Sequence, residues 1–113
     1  MTSYQRMRVL AEADGTVRLI GEVDMDTAGQ LETILEQALS DRDDGAPLTL
    51  DMSEVTFCDS TGLNALLRTR HLAERTGSRM SVPTASDQVT RLFLITGTGD
   101  LFGCAAASTR RTS

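Results

Sequence analysis

Lysine is absent from the sequence, and the eleven basic residues, all of them arginine, are outnumbered by sixteen aspartate and glutamate residues. Without lysine the chain can neither form a Schiff base nor supply the lysine of a P-loop. The net charge of −5 argues against sequence-independent binding to nucleic acid, because that binding needs a basic surface. His71 is the one histidine, which excludes a metal site built from several histidines.

Cysteines and long apolar runs are also scarce. Cys58 and Cys104 are too few for a disulfide framework. No apolar stretch approaches the ~18 residues of a membrane span, and residues 1–10 lack the apolar region of a secretory signal. We therefore expect a reduced, cytoplasmic protein without a membrane partner. Its 113 residues, 40% of them hydrophobic, suit one folded domain.

Two stretches near the N-terminus, residues 5–12 and 16–23, alternate polar with apolar side chains. Asp14 and Gly15 stand between them, and an Asp-Gly pair in this position is typical of a tight hairpin turn. The pattern predicts two antiparallel strands, of which the second leaves one sheet face incompletely buried.

Apolar residues recur at the spacing of a helix face in three segments: residues 24–42, 60–77 and 89–97. The first helix should end near Ser40, whereas Gly77 and Gly97 suit the C-terminal ends of the other two.

Side-chain caps are predicted at the starts of the first and third helices. Thr27 with Gln30, and Thr84 with Asp87, match the capping-box pattern. In that pattern two side chains satisfy backbone N–H groups that the first helical turn leaves exposed.

Two further short strands, Leu48–Met52 and Arg79–Val82, separate the helices, and Pro83 should end the second strand. The order is β-β-α-β-α-β-α-(α), in which the last helix is a short, frayed one within residues 104–113. Strands separated by helices imply parallel pairing. We predict a single α/β domain with a core of about residues 5–103, a mixed, mostly parallel sheet of four to five strands and about four helices.

Polar side chains gather where two strands lead into helices, at residues 22–27 and 57–63. Functional groups collect at the carboxyl ends of parallel strands, so both segments should reach the same sheet edge. The run Asp59-Ser60-Thr61-Gly62 admits two interpretations. It is either a helix cap, for which one side chain is enough, or a site of close approach by another chain. A phosphate on Ser60 would benefit from the N–H groups at the helix start.

Catalysis by this chain is not expected. A cysteine phosphatase loop built on Cys58 would need an arginine where Asn64 stands. His71 is too far along the helix from Ser60 for a Ser-His-Asp triad. We expect Cys58 to be a buried thiol, and a small hydrolase using Ser60 or Cys58 is a distant alternative.

Three stretches in order, GEVDMDTA, LTLDMSEVTFCDSTGLNALL and RLFLITGTGDLF, resemble the STAS domain of bacterial anti-sigma factor antagonists. The resemblance covers about residues 5–103, and VTFCDSTGL is its most specific piece. It implies a small cytoplasmic switch protein that binds an anti-sigma factor and so frees a sigma factor. That anti-sigma factor would itself be a serine kinase with an ATPase-like fold.

The resemblance also implies roles for individual residues. Ser60 would accept phosphate from the kinase, with Thr61 as the alternative acceptor, and a serine phosphatase would remove the phosphate. The partner contact would comprise five positions: Asp24, Asp59, Thr61, Gly62 and Leu63. No cofactor, metal or nucleic acid is implied for this chain. The alternative is that the chain is a STAS accessory subunit of a lipid transporter, or that it is itself a nucleotide-sensing STAS module.

Overall fold

A computed structural model describes residues 6–42 and 45–108. The chain forms four strands, which are β1 (Met7–Ala11), β2 (Val17–Val23), β3 (Leu48–Cys58) and β4 (Met80–Ala85). The helices are α1 (Ala28–Ser40), α2 (Ser60–Arg75) and α3 (Asp87–Thr96), followed by the 3-10 turns Gly99–Phe102 and Ala105–Ala107. This order confirms the predicted α/β fold, with two short 3-10 turns in place of a fourth α-helix. Residues 5 and 109–113 of the predicted elements lie outside the described residues.

The strands form one mixed sheet in the order β1-β2-β3-β4. β1 is antiparallel to β2, whereas β2, β3 and β4 run parallel, as the alternation of strands with helices predicted. The predicted hairpin is confirmed: Ala11 pairs with Val17, and the Glu12 amide donates to the Thr16 carbonyl at 2.8 Å.

β3 is longer than predicted, because it continues beyond Met52 to Cys58. The pairing with β2 shifts register at two places, and at each of them β3 contains one residue more than β2, which forms a β-bulge. Each bulge moves the next inward-facing position one residue further, so that Val55 and Cys58 are buried after Met52. Strict alternation is thus lost after Met52, and the predicted end of the strand is wrong.

Pro83 does not end β4, which extends to Ala85. β4 lies at the edge of the sheet, and its register against β3 shifts between the pairs Thr49↔Ser81 and Asp51↔Thr84. Proline lacks a backbone N–H, so it is tolerated at an edge strand and at an irregularity of this kind. The prediction that the strand stops at Pro83 is therefore wrong.

Neither predicted capping box forms. Thr27 occupies the N-cap position of α1, but its hydroxyl donates to the Glu22 carbonyl at 2.9 Å instead of accepting from the helix. Thr84 belongs to β4, and the cap of α3 is Ser86, whose hydroxyl accepts from the Val89 amide at 3.3 Å. The extension of β4 thus moves the start of α3 past the predicted cap.

The core lies between one face of the sheet and the three helices. Its largest fully buried side chains include Leu19, Leu50, Leu66 and Phe93, one from each of four elements. On the opposite face, Arg18 bonds to Glu12 and, at 2.8 Å, to Glu54. This half-exposed ionic cluster agrees with the prediction that one sheet face is less completely buried.

Gly62 allows α2 to pack directly on the ends of β2 and β3. A Cβ atom at this position would lie 2.7 Å from Val23 Cγ1, 2.8 Å from the Val23 carbonyl oxygen and 2.9 Å from Cys58 Sγ. Real Cβ atoms do not approach other heavy atoms so closely, and one of these neighbours is backbone. The glycine is therefore required by contact inside the chain.

We predict that Gly62→Ala lowers the free energy of unfolding by about 1–3 kcal/mol, because the added methyl group overpacks the junction. Gly29→Ala is the matched control, since Gly29 lies in the first turn of α1 with open space around its Cβ position. That variant should gain up to ~1 kcal/mol from helix propensity. Urea denaturation measures both values, and equal stabilisation of the two variants would contradict the packing argument.

Candidate functional site

β2 and β3 end side by side, and the two polar segments follow them. Val23 pairs with Cys58, and the Asp59 amide donates to the Val23 carbonyl at 3.2 Å. Asp24 and Ser60 follow these residues directly in the chain. We call Asp24, Asp59 and Ser60 the β2–β3 edge, and the prediction that the two segments reach one edge is confirmed.

Asp59 is the cap of α2, and Ser60 is the first helical residue. The Asp59 carboxylate accepts from the Gly62 amide at 3.1 Å. Ser60 is exposed, whereas Thr61 is half-buried. One side chain thus suffices for the cap, and the Ser60 hydroxyl is left on the surface at the start of the helix.

Asp24 is held in place by hydrogen bonds at the end of β2, where its side chain is 15% exposed. Its Oδ1 atom accepts from the Asp26 amide at 2.9 Å and from the Arg6 guanidinium at 2.8 Å. Desolvation favours the neutral carboxyl, but these hydrogen bonds and the arginine charge outweigh it and lower the pKa of Asp24. The carboxylate therefore carries its negative charge at neutral pH.

Arg6 was missed in the sequence, although it is the cation of this site. Its guanidinium lies 3.2 Å from Glu22, 2.8 Å from Asp24 and 3.3 Å from Asp26. The Glu22 amide donates to the Arg6 carbonyl at 2.7 Å, which continues the hairpin register beyond β1. The hairpin register could have placed Arg6 at the site from the sequence, since a turn at Asp14-Gly15 brings residue 6 opposite residue 22.

Gly21 permits this close approach of the N-terminal segment. Its φ of +100° favours glycine, and a Cβ atom there would lie 2.0 Å from the Arg6 carbonyl oxygen. A larger residue would push Arg6 away from β2. The position of the guanidinium beside Asp24 therefore depends on this glycine.

Cys58 is a buried thiol, as expected. Burial, and to a smaller extent the negative charge of Asp59, raise the pKa of Cys58 to about 12. Its backbone bonds to the side chain of Gln88 in α3, which no sequence pattern marks: Gln88 accepts from the Cys58 amide at 2.7 Å. The thiol remains protonated at neutral pH, which is unsuited to nucleophilic catalysis.

Two of the expected partner contacts lie inside the chain. Leu63 is 5% exposed and belongs to the core, and Gly62 is buried against β2 and β3. Both residues pack α2 onto the sheet, and their expected contact with a partner stays a prediction. Two apolar side chains beside the site are exposed, although no sequence pattern marks them: Met25 (74%) next to Asp24 and Phe57 (44%) before Cys58.

We predict that Arg6→Gln raises the pKa of Asp24, because the variant loses the charge that favours the ionised carboxylate. The carbon resonance of the Asp24 carboxyl group, followed by NMR during a pH titration, reports this value. Arg8→Gln is the control, since it removes another exposed arginine only two residues away. An unchanged Asp24 pKa in Arg6→Gln would rule out this electrostatic role.

Comparison with known proteins identifies the family. The family model described as "Mlab, STAS domain" matches residues 7–103. The anti-sigma-B factor antagonist of Bacillus subtilis (strain 168) is 31% identical over 97 residues, which cover 86% of each chain. The protein of the same name from Staphylococcus aureus (strain NCTC 8325 / PS 47) is 33% identical over 86 residues, covering 75% of this chain and 77% of that protein.

Solved structures agree with this assignment. An anti-sigma factor antagonist from Mycobacterium paratuberculosis superposes with a TM-score of 0.71 at 31% identity, covering 87% of this chain and 84% of that one. The unphosphorylated form of the anti-sigma factor antagonist SpoIIAA, at 21% identity and a TM-score of 0.59, shares the fold over 84% of each chain. The segments that carry the sequence resemblance fall within the matched range, and the chain belongs to the STAS-domain family.

Proposed function

We propose that this STAS domain is an anti-sigma factor antagonist that binds an anti-sigma factor serine kinase and loses that affinity when Ser60 is phosphorylated. The observation that carries the proposal is the exposed Ser60 hydroxyl at the start of α2, beside Asp59 and at the edge that also holds Asp24. Named relatives over most of the chain support the antagonist role. The β2–β3 edge is the proposed docking surface.

Exposure favours Ser60 over Thr61 as the acceptor. A kinase must bring its bound ATP to the hydroxyl, and the half-buried Thr61 side chain is less accessible than its neighbour. Thr61 remains the alternative acceptor. Met25 and Phe57 add apolar surface that a docked partner would cover, as interfaces between proteins commonly require.

The charge of a phosphate explains how one modification would release the partner. Phosphorylation adds about −1.5 to −2 charges at pH 7. A like-charge pair at ~4 Å costs about 4 kcal/mol at an effective dielectric of 20, whereas a micromolar complex is held by only ~8 kcal/mol. A phosphate closed into an interface beside ionised carboxylates would thus weaken binding about 100-fold or more.

The same phosphate would be tolerated by the free domain. The N-terminus of α2 carries the positive end of the helix dipole, which stabilises a nearby anion by at most ~2 kcal/mol. The modification would therefore act on the complex and leave the fold intact. In this scheme the kinase supplies ATP and the catalytic groups, a serine phosphatase resets the switch in the cytoplasm, and this chain is their substrate.

Incubation with ATP and a candidate anti-sigma kinase from the same organism should phosphorylate the protein at Ser60, as mapped by mass spectrometry. Thr61→Val should still be modified, whereas Ser60→Ala should not. Phosphate on Thr61 alone would reassign the acceptor. Modification at neither residue would overturn the proposal, as would stable association with a transporter ATPase or saturable GTP binding in place of kinase binding.

Ser60→Asp should weaken kinase binding about tenfold or more by isothermal titration calorimetry, since it brings one negative charge into the docking surface. Ser60→Ala should bind like the wild-type protein. Ser53→Asp adds the same charge at an exposed position of β3, before the second bulge, and should also leave affinity unchanged. Equal affinities for Ser60→Asp and Ser60→Ala would count against electrostatic release.

A further inference from the structure

The last part of β3 lacks a strand neighbour on its β4 side. Pairing between β3 and β4 ends at Met52 and Ala85, and the Ser86 amide closes it with a 3.1 Å bond to the Met52 carbonyl. Within residues 6–42 and 45–108, no strand continues this pairing as far as Cys58. The backbone just before Ser60 therefore needs hydrogen-bond partners from another source.

Gln88, in the first turn of α3, supplies them. The Cys58 amide donates to Gln88 Oε1 at 2.7 Å, and Gln88 Nε2 donates to the Cys58 carbonyl at 2.9 Å. One side chain thus meets both backbone groups of one residue, as a neighbouring strand would. A buried backbone group left without a partner costs about 1–3 kcal/mol, so these two bonds hold Cys58 firmly.

We propose that Gln88 is a positioning residue for the phosphoacceptor: it fixes Cys58, and through Cys58 the turn that presents the Ser60 hydroxyl to the kinase. This inference rests on the proposed function of Ser60. Hydrogen bonds fix the turn on two sides. The Asp59 amide donates to the Val23 carbonyl of β2, and the Cys58 amide donates to the Gln88 side chain of α3. Phosphoryl transfer requires the attacking oxygen in line with the phosphorus, and a displacement of ~1 Å can cost 100-fold in rate.

The chemistry of the side chain explains why glutamine fits this position. Its amide offers a donor and an acceptor on one planar group, which matches the N–H and C=O of one residue. Glutamate at position 88 would keep the oxygen that accepts from the Cys58 amide. Its second carboxylate oxygen would face the Cys58 carbonyl oxygen and could not donate to it. Methionine keeps the length of the side chain and loses both hydrogen bonds, so Gln88→Met is the cleaner variant.

Steady-state phosphorylation of the intact protein tests the proposal. Gln88→Met should lower kcat at Ser60 about tenfold or more, with KM for the protein changed less than about threefold, because the variant substitutes no side chain of the docking surface. Gln88→Glu should lower kcat as well. Gln37→Met is the matched control: it removes a glutamine of α1 whose amide bonds to Asp41 at 2.9 Å, and it should react like the wild-type protein.

Amide hydrogen exchange in the free protein provides a readout that needs no kinase. In Gln88→Met the Cys58 and Asp59 amides should exchange about tenfold faster or more, while the Leu50 amide in the middle of the sheet keeps its rate. Unchanged exchange at Cys58 overturns the proposal, and so does unchanged kcat despite faster exchange. If the wild-type protein is not phosphorylated at Ser60, the proposed function fails, and the exchange rates still show whether Gln88 holds the turn.

Discussion

The contact of Gly62 with the paired ends of β2 and β3 is the constraint on which the site depends. It brings the start of α2 against Val23 and Cys58, and there is no room for a side chain between them. Because the helix begins at this contact, Asp59 must act as its cap and Ser60 must emerge on the surface. Exposure of the Ser60 hydroxyl is thus a result of tight packing at Gly62, two residues further along the helix.

Charge at the β2–β3 edge is balanced by Arg6, which precedes β1 in the chain. Arg6 reaches Asp24 because the hairpin continues past β1 and because Gly21 leaves room for its carbonyl. The lysine-free, acidic composition therefore says little about the local charge, which depends on how one arginine is placed among three carboxylates. A partner that binds this edge meets an ordered ionic cluster rather than a set of free acids.

Features that depend on local chemistry could be predicted from the sequence. Asp14 and Gly15 mark the hairpin, and Gly97 ends α3 in a left-handed conformation. The bulges of β3 and the tolerance of Pro83 within β4 depend on pairing with neighbouring strands, so the predicted ends of β3 and β4 were wrong. The predicted capping box at Thr27 does not form because its hydroxyl donates instead to the Glu22 carbonyl, five residues earlier in the chain.

The site was only partly predictable for the same reason. The run around Ser60 is recognisable because it is contiguous, whereas Gln88 lies 30 positions from Cys58 and is brought to it only by the fold. Glycine is unusual in a first helical turn, so Gly62 stands out in the sequence. The lack of room for a side chain there depends on distances to Val23 and Cys58, which only the fold determines. That glycine meets a packing requirement inside the chain, and its contact with a partner stays a prediction.

Burial of Cys58 has a consequence for the signals that this domain can register. Burial raises the pKa of the Cys58 thiol and keeps it protonated at neutral pH, whereas the thiolate is the form that peroxides attack. A cysteine two residues from the proposed acceptor Ser60 is thus held in the form that reacts slowly with oxidants. The fold thus places a buried thiol and an exposed hydroxyl, two side chains of different reactivity, within one short segment.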